Sequence, residues 1–163
     1  MSYINFNESV SEGNLRKFNA IHGNEPFVLL LYSSSCPHCH DLKRPKKDEQ
    51  EYGTGIWDST RKIYQNQLNV VEFEHAVLNH LMNDHSGNHH TKAIMDTLHF
   101  WEPRQYPTIM IFDAKALNPT TFSGERNDKN IQTVFKKSAQ KLLTFANKTS
   151  PVEKVYNARY KKK

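Results

Sequence analysis

Phe27-Val28-Leu29-Leu30-Leu31-Tyr32, followed after three serines by Cys36-Pro37-His38-Cys39, is the stretch on which the fold turns. An unbroken apolar run bounded by polar residues is typical of a strand buried on both faces. Helix begins near Cys36, because Pro37 lacks the N–H that a first helical turn leaves unbonded anyway. Strand thus hands over to helix at the only two cysteines of the chain. A thiol at such a handover meets backbone N–H donors and the positive end of a helix dipole, which favour its thiolate. The thiolate is the form that attacks disulfides, so Cys36 and Cys39 read as a reversible dithiol/disulfide centre.

The bounds around this centre are set by size and charge. A 163-residue chain fits one domain, which buries roughly 70% of its unfolded surface and needs no disulfide staples. Two cysteines with only two residues between them cannot tie distant segments together, which argues against a disulfide-built secreted scaffold. The opening Met-Ser-Tyr-Ile-Asn-Phe-Asn-Glu has neither a basic n-region nor an apolar h-region, so no secretory signal is expected. The longest apolar run is far short of a membrane span. A cytoplasmic protein without a membrane partner is the expectation. Abundant Asn, Lys, Ile and Tyr fit an AT-rich genome, which leaves a viral origin open. Of the net charge of +5, residues 151–163 hold +4, through Lys154, Arg159, Lys161, Lys162 and Lys163 against Glu153. The basicity is mostly a tail, either solvated or weakly anchoring an anionic partner, and nucleic acid is not an expected partner.

Outward from the dithiol, Ser9 and Glu12 form a candidate capping box for a helix carrying Leu15, Phe18 and Ile21. Gly23-Asn24-Glu25-Pro26 punctuates the chain before the apolar run. Pro45 kinks or ends the helix that starts at the cysteines. Gly53 and Gly55 make a break, and Asp58-Ser59 caps a further helical stretch through Ile63, Tyr64 and Leu68. Val70-Val71-Glu72-Phe73 is the next strand. Asn79 to His90 is a polar stretch rich in Asn and His, and helical spacing resumes over Thr91 to Phe100. Thr108-Ile109-Met110-Ile111-Phe112 is a β-branched strand introduced by Tyr106-Pro107. Thr120 to Ser123 returns antiparallel, and Asp128 to Ala146 is a long amphipathic helix. With a short strand possible at the start, the order predicts a mixed sheet covered by helices on both faces.

Four features in this order resemble the thioredoxin superfamily over most of residues 10–146. They are the strand into Cys36-Pro37-His38-Cys39, the strand at Val70 to Phe73, Tyr106-Pro107-Thr108, and Phe122-Ser123-Gly124 before the last helix. The dithiol looks like that of DsbA-type oxidases, and Gly124-Glu125-Arg126 is closer to protein disulfide isomerase and thioredoxin domains. The resemblance implies an α/β thioredoxin-like three-layer sandwich with a central mixed sheet, helices on both faces, and insertions. The thioredoxin-like domain is expected over residues 1–147, with a basic tail over 148–163. It implies a protein thiol–disulfide oxidoreductase without a bound cofactor, acting on protein thiols or disulfides with an unidentified redox donor or acceptor.

In that family the first cysteine is the nucleophile, here Cys36, and Cys39 resolves the mixed disulfide. Pro37 and His38 between them tune the pair, an imidazole stabilising the Cys36 thiolate. Tyr106-Pro107 is then the substrate-binding loop, its proline cis and the backbone of Tyr106 pairing with an extended substrate. A trans proline opening an edge strand is the alternative at this position. Two departures stand out. Leu30 occupies the place of the buried acid that thioredoxins carry six residues before the first cysteine, and Ser35 replaces the usual Trp. Lys43 or a water is a possible substitute for the missing acid.

Rival readings remain. Cys36-Pro37-His38-Cys39-His40 also matches the haem c attachment pattern, though a preceding buried strand suits the redox turn better. His80, His85, His89 and His90 fall within eleven residues, and imidazoles with thiolates suit zinc. The dithiol is outside finger spacing from them, so no metal ligands are assigned. The non-catalytic alternative is a thioredoxin-like interaction module, with metal held through the His-rich loop 79–90. A vestigial domain has no chemical reason to keep both the dithiol and Tyr106-Pro107.

Overall fold

The computed structural model of the chain describes residues 2–43, 55–84 and 88–148. The expected events at Pro45 and Gly53, His85, and the tail beyond Lys148 lie outside the described residues. Strand β1 (Tyr3–Phe6) is followed by α1 (Glu12–Ile21), β2 (Phe27–Tyr32), α2 (Pro37–Lys43) and α3 (Ile56–Ile63). Then come β3 (Val70–Glu74), α4 (His75–Met82), a 3-10 turn at His89–Thr91, α5 (Lys92–Leu98), β4 (Thr108–Phe112), β5 (Thr120–Thr121) and α6 (Asp128–Lys148). The strands form one mixed sheet in the order β1-β3-β2-β4-β5. β3 runs parallel to both β1 and β2, while β4 is antiparallel to β2 and β5.

Side chains alternate across a strand, so β2 feeds both faces of the sheet. Phe27, Leu29 and Leu31 pack with Phe6, Phe73 and Phe112 under α1, α4 and α5. Val28, Leu30 and Tyr32 pack with Ile109, Ile111, Trp57 and Phe135 under α2, α3 and α6. The first cluster is built on stacked phenylalanines, Phe6 on Phe73 and Phe27 on Phe112, each pair with ring centroids 4.6 Å apart. Every β2 residue is buried, and each such side chain stabilises the fold by about 1.5–3 kcal/mol. The expected three-layer α/β sandwich is the one observed.

Three local expectations are corrected. The cap of α1 is Ser11, whose Oγ accepts from the Asn14 N–H at 3.2 Å, not Ser9. Gly55 holds the N-cap position of α3 without a side-chain bond; Asp58 is drawn into the core by a buried ammonium instead. Helix also intrudes into the stretch read as polar from Asn79. Glu74 caps α4 by accepting from the Ala76 N–H at 2.7 Å, and Val77, Leu78 and Leu81 bury one face. The Asn and His residues that hid the helix lie on its exposed side. Gly23, at φ +77°, makes the expected turn out of α1.

Candidate redox site

Cys36 stands immediately before α2, whose first residue is Pro37. It is half-buried, while Cys39, one turn on, is fully buried. The three serines between β2 and the dithiol are tied down individually. The Ser33 N–H points to Cys39 Sγ at 3.3 Å, and Ser33 and Ser35 share a hydroxyl bond at 3.1 Å. The Ser34 N–H donates to the Glu74 carboxylate at 3.3 Å, and the Ser34 carbonyl meets His40 Nε2 at 3.1 Å. The Cys36 amide then closes on the Ser33 carbonyl, and the Cys39 amide on the Cys36 carbonyl. His38 is exposed and makes no hydrogen bond among the described residues, so the imidazole that folds onto this loop is His40.

The opposite wall is the turn before β4. The Tyr106–Pro107 bond is cis, as is Glu102–Pro103. Cys36 Sγ lies 3.9 Å from the Tyr106 carbonyl. The Trp101 indole N–H reaches the Gln105 carbonyl and Thr108 Oγ1, and Arg126 Nη2 donates to the Pro107 carbonyl at 3.1 Å. The structure sets Cys36 against the Tyr106-Pro107 turn with Cys39 buried behind it, while Pro37 opens α2 and His38 lies outside the contact. Sequence reasoning missed two neighbours. Arg126 was visible only as part of the Gly124-Glu125-Arg126 stretch. His75, whose Nδ1 sits 3.0 Å from the Tyr106 hydroxyl, carried no signal, because it is 31 residues away in the chain.

Burial pushes the Cys39 thiol up to about 12. The Ser33 N–H and the Arg126 charge hold it back, and a charge on Cys36 raises it. The Tyr106 phenol is likewise raised to about 12, by burial first and then by Glu74 and Cys39. Both groups are therefore protonated near neutral pH.

Leu30 is fully buried beneath the dithiol, and its β-sheet partner on β3 is Glu72. Lys43 Nζ bonds Glu72 at 2.6 Å and Asp58 at 2.9 Å, all three side chains being at most 2% exposed. Trp57 Nε1 donates to the second Glu72 oxygen at 3.1 Å, and Arg61 lies 3.6 Å from Asp58. Lys43 is thus spent on two carboxylates, and no contact joins it to Cys39 among the described residues. No set of three His, Cys, Asp or Glu side chains among the described residues converges as a metal site, and no described helix is long and apolar enough to cross a membrane.

A mixed sheet in this order, helices on both faces, and a β2–α2 handover set against the turn before β4 define the thioredoxin fold. No protein-family model matches the sequence, and no curated protein does. Solved structures do match in shape. The J-Trx1 fragment of ERdj5 aligns with TM-score 0.50 and 15% identity over 85% of this chain, which spans only 52% of that fragment. The first thioredoxin domain of mouse protein disulfide-isomerase A4 aligns at 0.47 and 14% identity, covering 81% of this chain and 74% of that one. Chloroplastic thioredoxin z aligns at 0.46 and 13% identity, covering 83% and 96%. At these identities the likeness is one of fold.

Proposed function

We propose that this chain is a protein thiol–disulfide oxidoreductase. The observation that carries the proposal is the placement of Cys36 Sγ, half-exposed at a helix start and 3.9 Å from the Tyr106 carbonyl, with Cys39 buried behind it. In the reducing direction the Cys36 thiolate attacks one sulfur of a substrate disulfide. One S–S bond breaks, a mixed disulfide forms, and the first substrate thiolate leaves. Cys39 loses its proton and attacks Cys36 Sγ, releasing the second thiolate and leaving a Cys36–Cys39 disulfide. The substrate gains two electrons and the protein loses two, which an external redox partner restores. Oxidation of a substrate dithiol is the same path reversed. Substrate backbone lies against Tyr106 as an added extended segment, held by main-chain bonds. Arg126 assists twice, by fixing the Pro107 carbonyl and by opposing the rise of the Cys39 pKa.

Insulin reduction by wild type and by Cys36→Ser tests this directly. Wild type is expected to accelerate precipitation of the insulin chains over the thiol in the buffer, and the variant to fall to the buffer rate. Equal rates for the two would sink the proposal.

A further inference from the structure

The unusual feature beside the dithiol is a phenol whose own proton has no taker. The Tyr106 hydroxyl is 3.0 Å from His75 Nδ1, while His75 Nε2 is 3.1 Å from the Asn79 side-chain nitrogen. An amide nitrogen only donates, so Nε2 accepts, and the ring proton sits on Nδ1 and is given to the Tyr106 oxygen. The rings meet edge to face at 5.3 Å, and Trp101 supports the phenol from another side at 5.4 Å. His75 therefore fixes the oxygen and consumes one of its lone pairs. The O–H is left to donate outward, and no other side chain or carbonyl among the described residues bonds it. Tyr106 is half-buried as a residue, with its hydroxyl oriented by His75. Its carbonyl is the group beside Cys36 Sγ.

We infer that His75 and Tyr106 form a specificity subsite, selecting substrates that carry a hydrogen-bond acceptor in the side chain next to the reacting cysteine. This rests on the thiol–disulfide reading, since the subsite matters only if substrate backbone lies along Tyr106. An Asp, Asn, Glu or Gln beside the cysteine gives the phenol its acceptor. A Leu there leaves the O–H unpaired and partly desolvated, which is where discrimination arises. Tyr106 contacts the substrate; His75 is a positioning residue acting through it.

The test uses peptide disulfides identical except for Asn or Leu, placed first before and then after the cysteine, and compares kcat/KM. Wild type is expected to prefer the Asn peptide at one of these positions by about three- to tenfold, the size of one hydrogen bond, mainly through KM. Tyr106→Phe is expected to bring the ratio to about one, since it removes that single bond. His75→Phe lowers it, and His75→Asn, whose amide reaches the place of Nδ1, restores it. A merely structural role for His75 would depress both peptides together without changing their ratio. A wild-type ratio near one at both positions, or one that survives Tyr106→Phe, overturns the subsite and leaves the redox reading intact. If wild type reduces neither peptide, the redox reading falls and the subsite falls with it.

Discussion

Cys39 is the group at which residue-scale chemistry is most exposed to measurement. With its thiol at about 12, the thiolate fraction rises about tenfold per pH unit throughout the neutral and mildly alkaline range. Burial, the first cause of that rise, persists when Cys36 is held in a mixed disulfide, so release of substrate from a preformed mixed disulfide is expected to accelerate with pH from neutrality upward, followed by stopped flow. A plateau near neutrality would show that Cys39 is already ionised. Once Cys36 is tied up in the mixed disulfide its charge no longer raises Cys39, so resolution is easier in the intermediate than in the free dithiol. Arg126 acts in the same direction. Arg126→Gln is expected to slow release at fixed pH by up to about tenfold, equivalent to one pKa unit, while leaving the slope with pH unchanged. The two cysteines and the Tyr106-Pro107 turn were legible in sequence because they are local patterns of a few residues. His75 and Arg126 were not, since the contacts that give them meaning join residues 31 and 19 apart.

Between elements, the group that binds α2, α3 and β3 together is Lys43. Leu30 supplies no charge beneath the dithiol, and the buried ionic group is assembled instead from Lys43 on α2, Asp58 on α3 and Glu72 on β3. A buried pair is costly to make but costlier to break, because the surviving charge is left in the core. Lys43→Met is expected to destabilise the fold by about 3–5 kcal/mol in guanidinium titrations. Adding Glu72→Gln is expected to recover part of that loss by removing one of the stranded carboxylates. A Lys43→Met variant as stable as wild type would show that the network contributes nothing. Element positions were readable from apolar runs and helical spacing, yet this network was not. Asp58 looked like a cap and Glu72 like the polar member of a strand, because a single chain does not reveal which carboxylate will meet a distant ammonium. The same limit hid α4, whose apolar face is interrupted in sequence by Asn79 and His80 on its outer side.

Across the whole molecule, β2, β3 and β4 each feed both clusters, and β2 does so along its full length, its odd residues serving one face and its even residues the other. Neither cluster is complete without it, so the two faces are expected to unfold together. Trp57 lies in one cluster and Trp101 in the other, which makes the point measurable. Fluorescence midpoints of Trp57→Phe and Trp101→Phe, each compared with circular dichroism of the same variant, are expected to coincide. Two separated transitions would divide the sandwich into independent halves. The layer order was legible because a six-residue apolar strand must be covered on both sides, and because the cysteines mark where that strand ends. The same strand positions the dithiol, its C-terminal end leading to Cys36 beside the Tyr106 carbonyl. The claim that this placement makes a thiol exchanger is tested most directly in Cys39→Ser, which lacks the resolving thiol. Incubated with an oxidised peptide, it is expected to accumulate a covalent adduct, one peptide thiol per chain by intact mass, mapped to Cys36 and released by reductant. No adduct on Cys36, under conditions where a free thiol of glutathione reacts, would contradict the account.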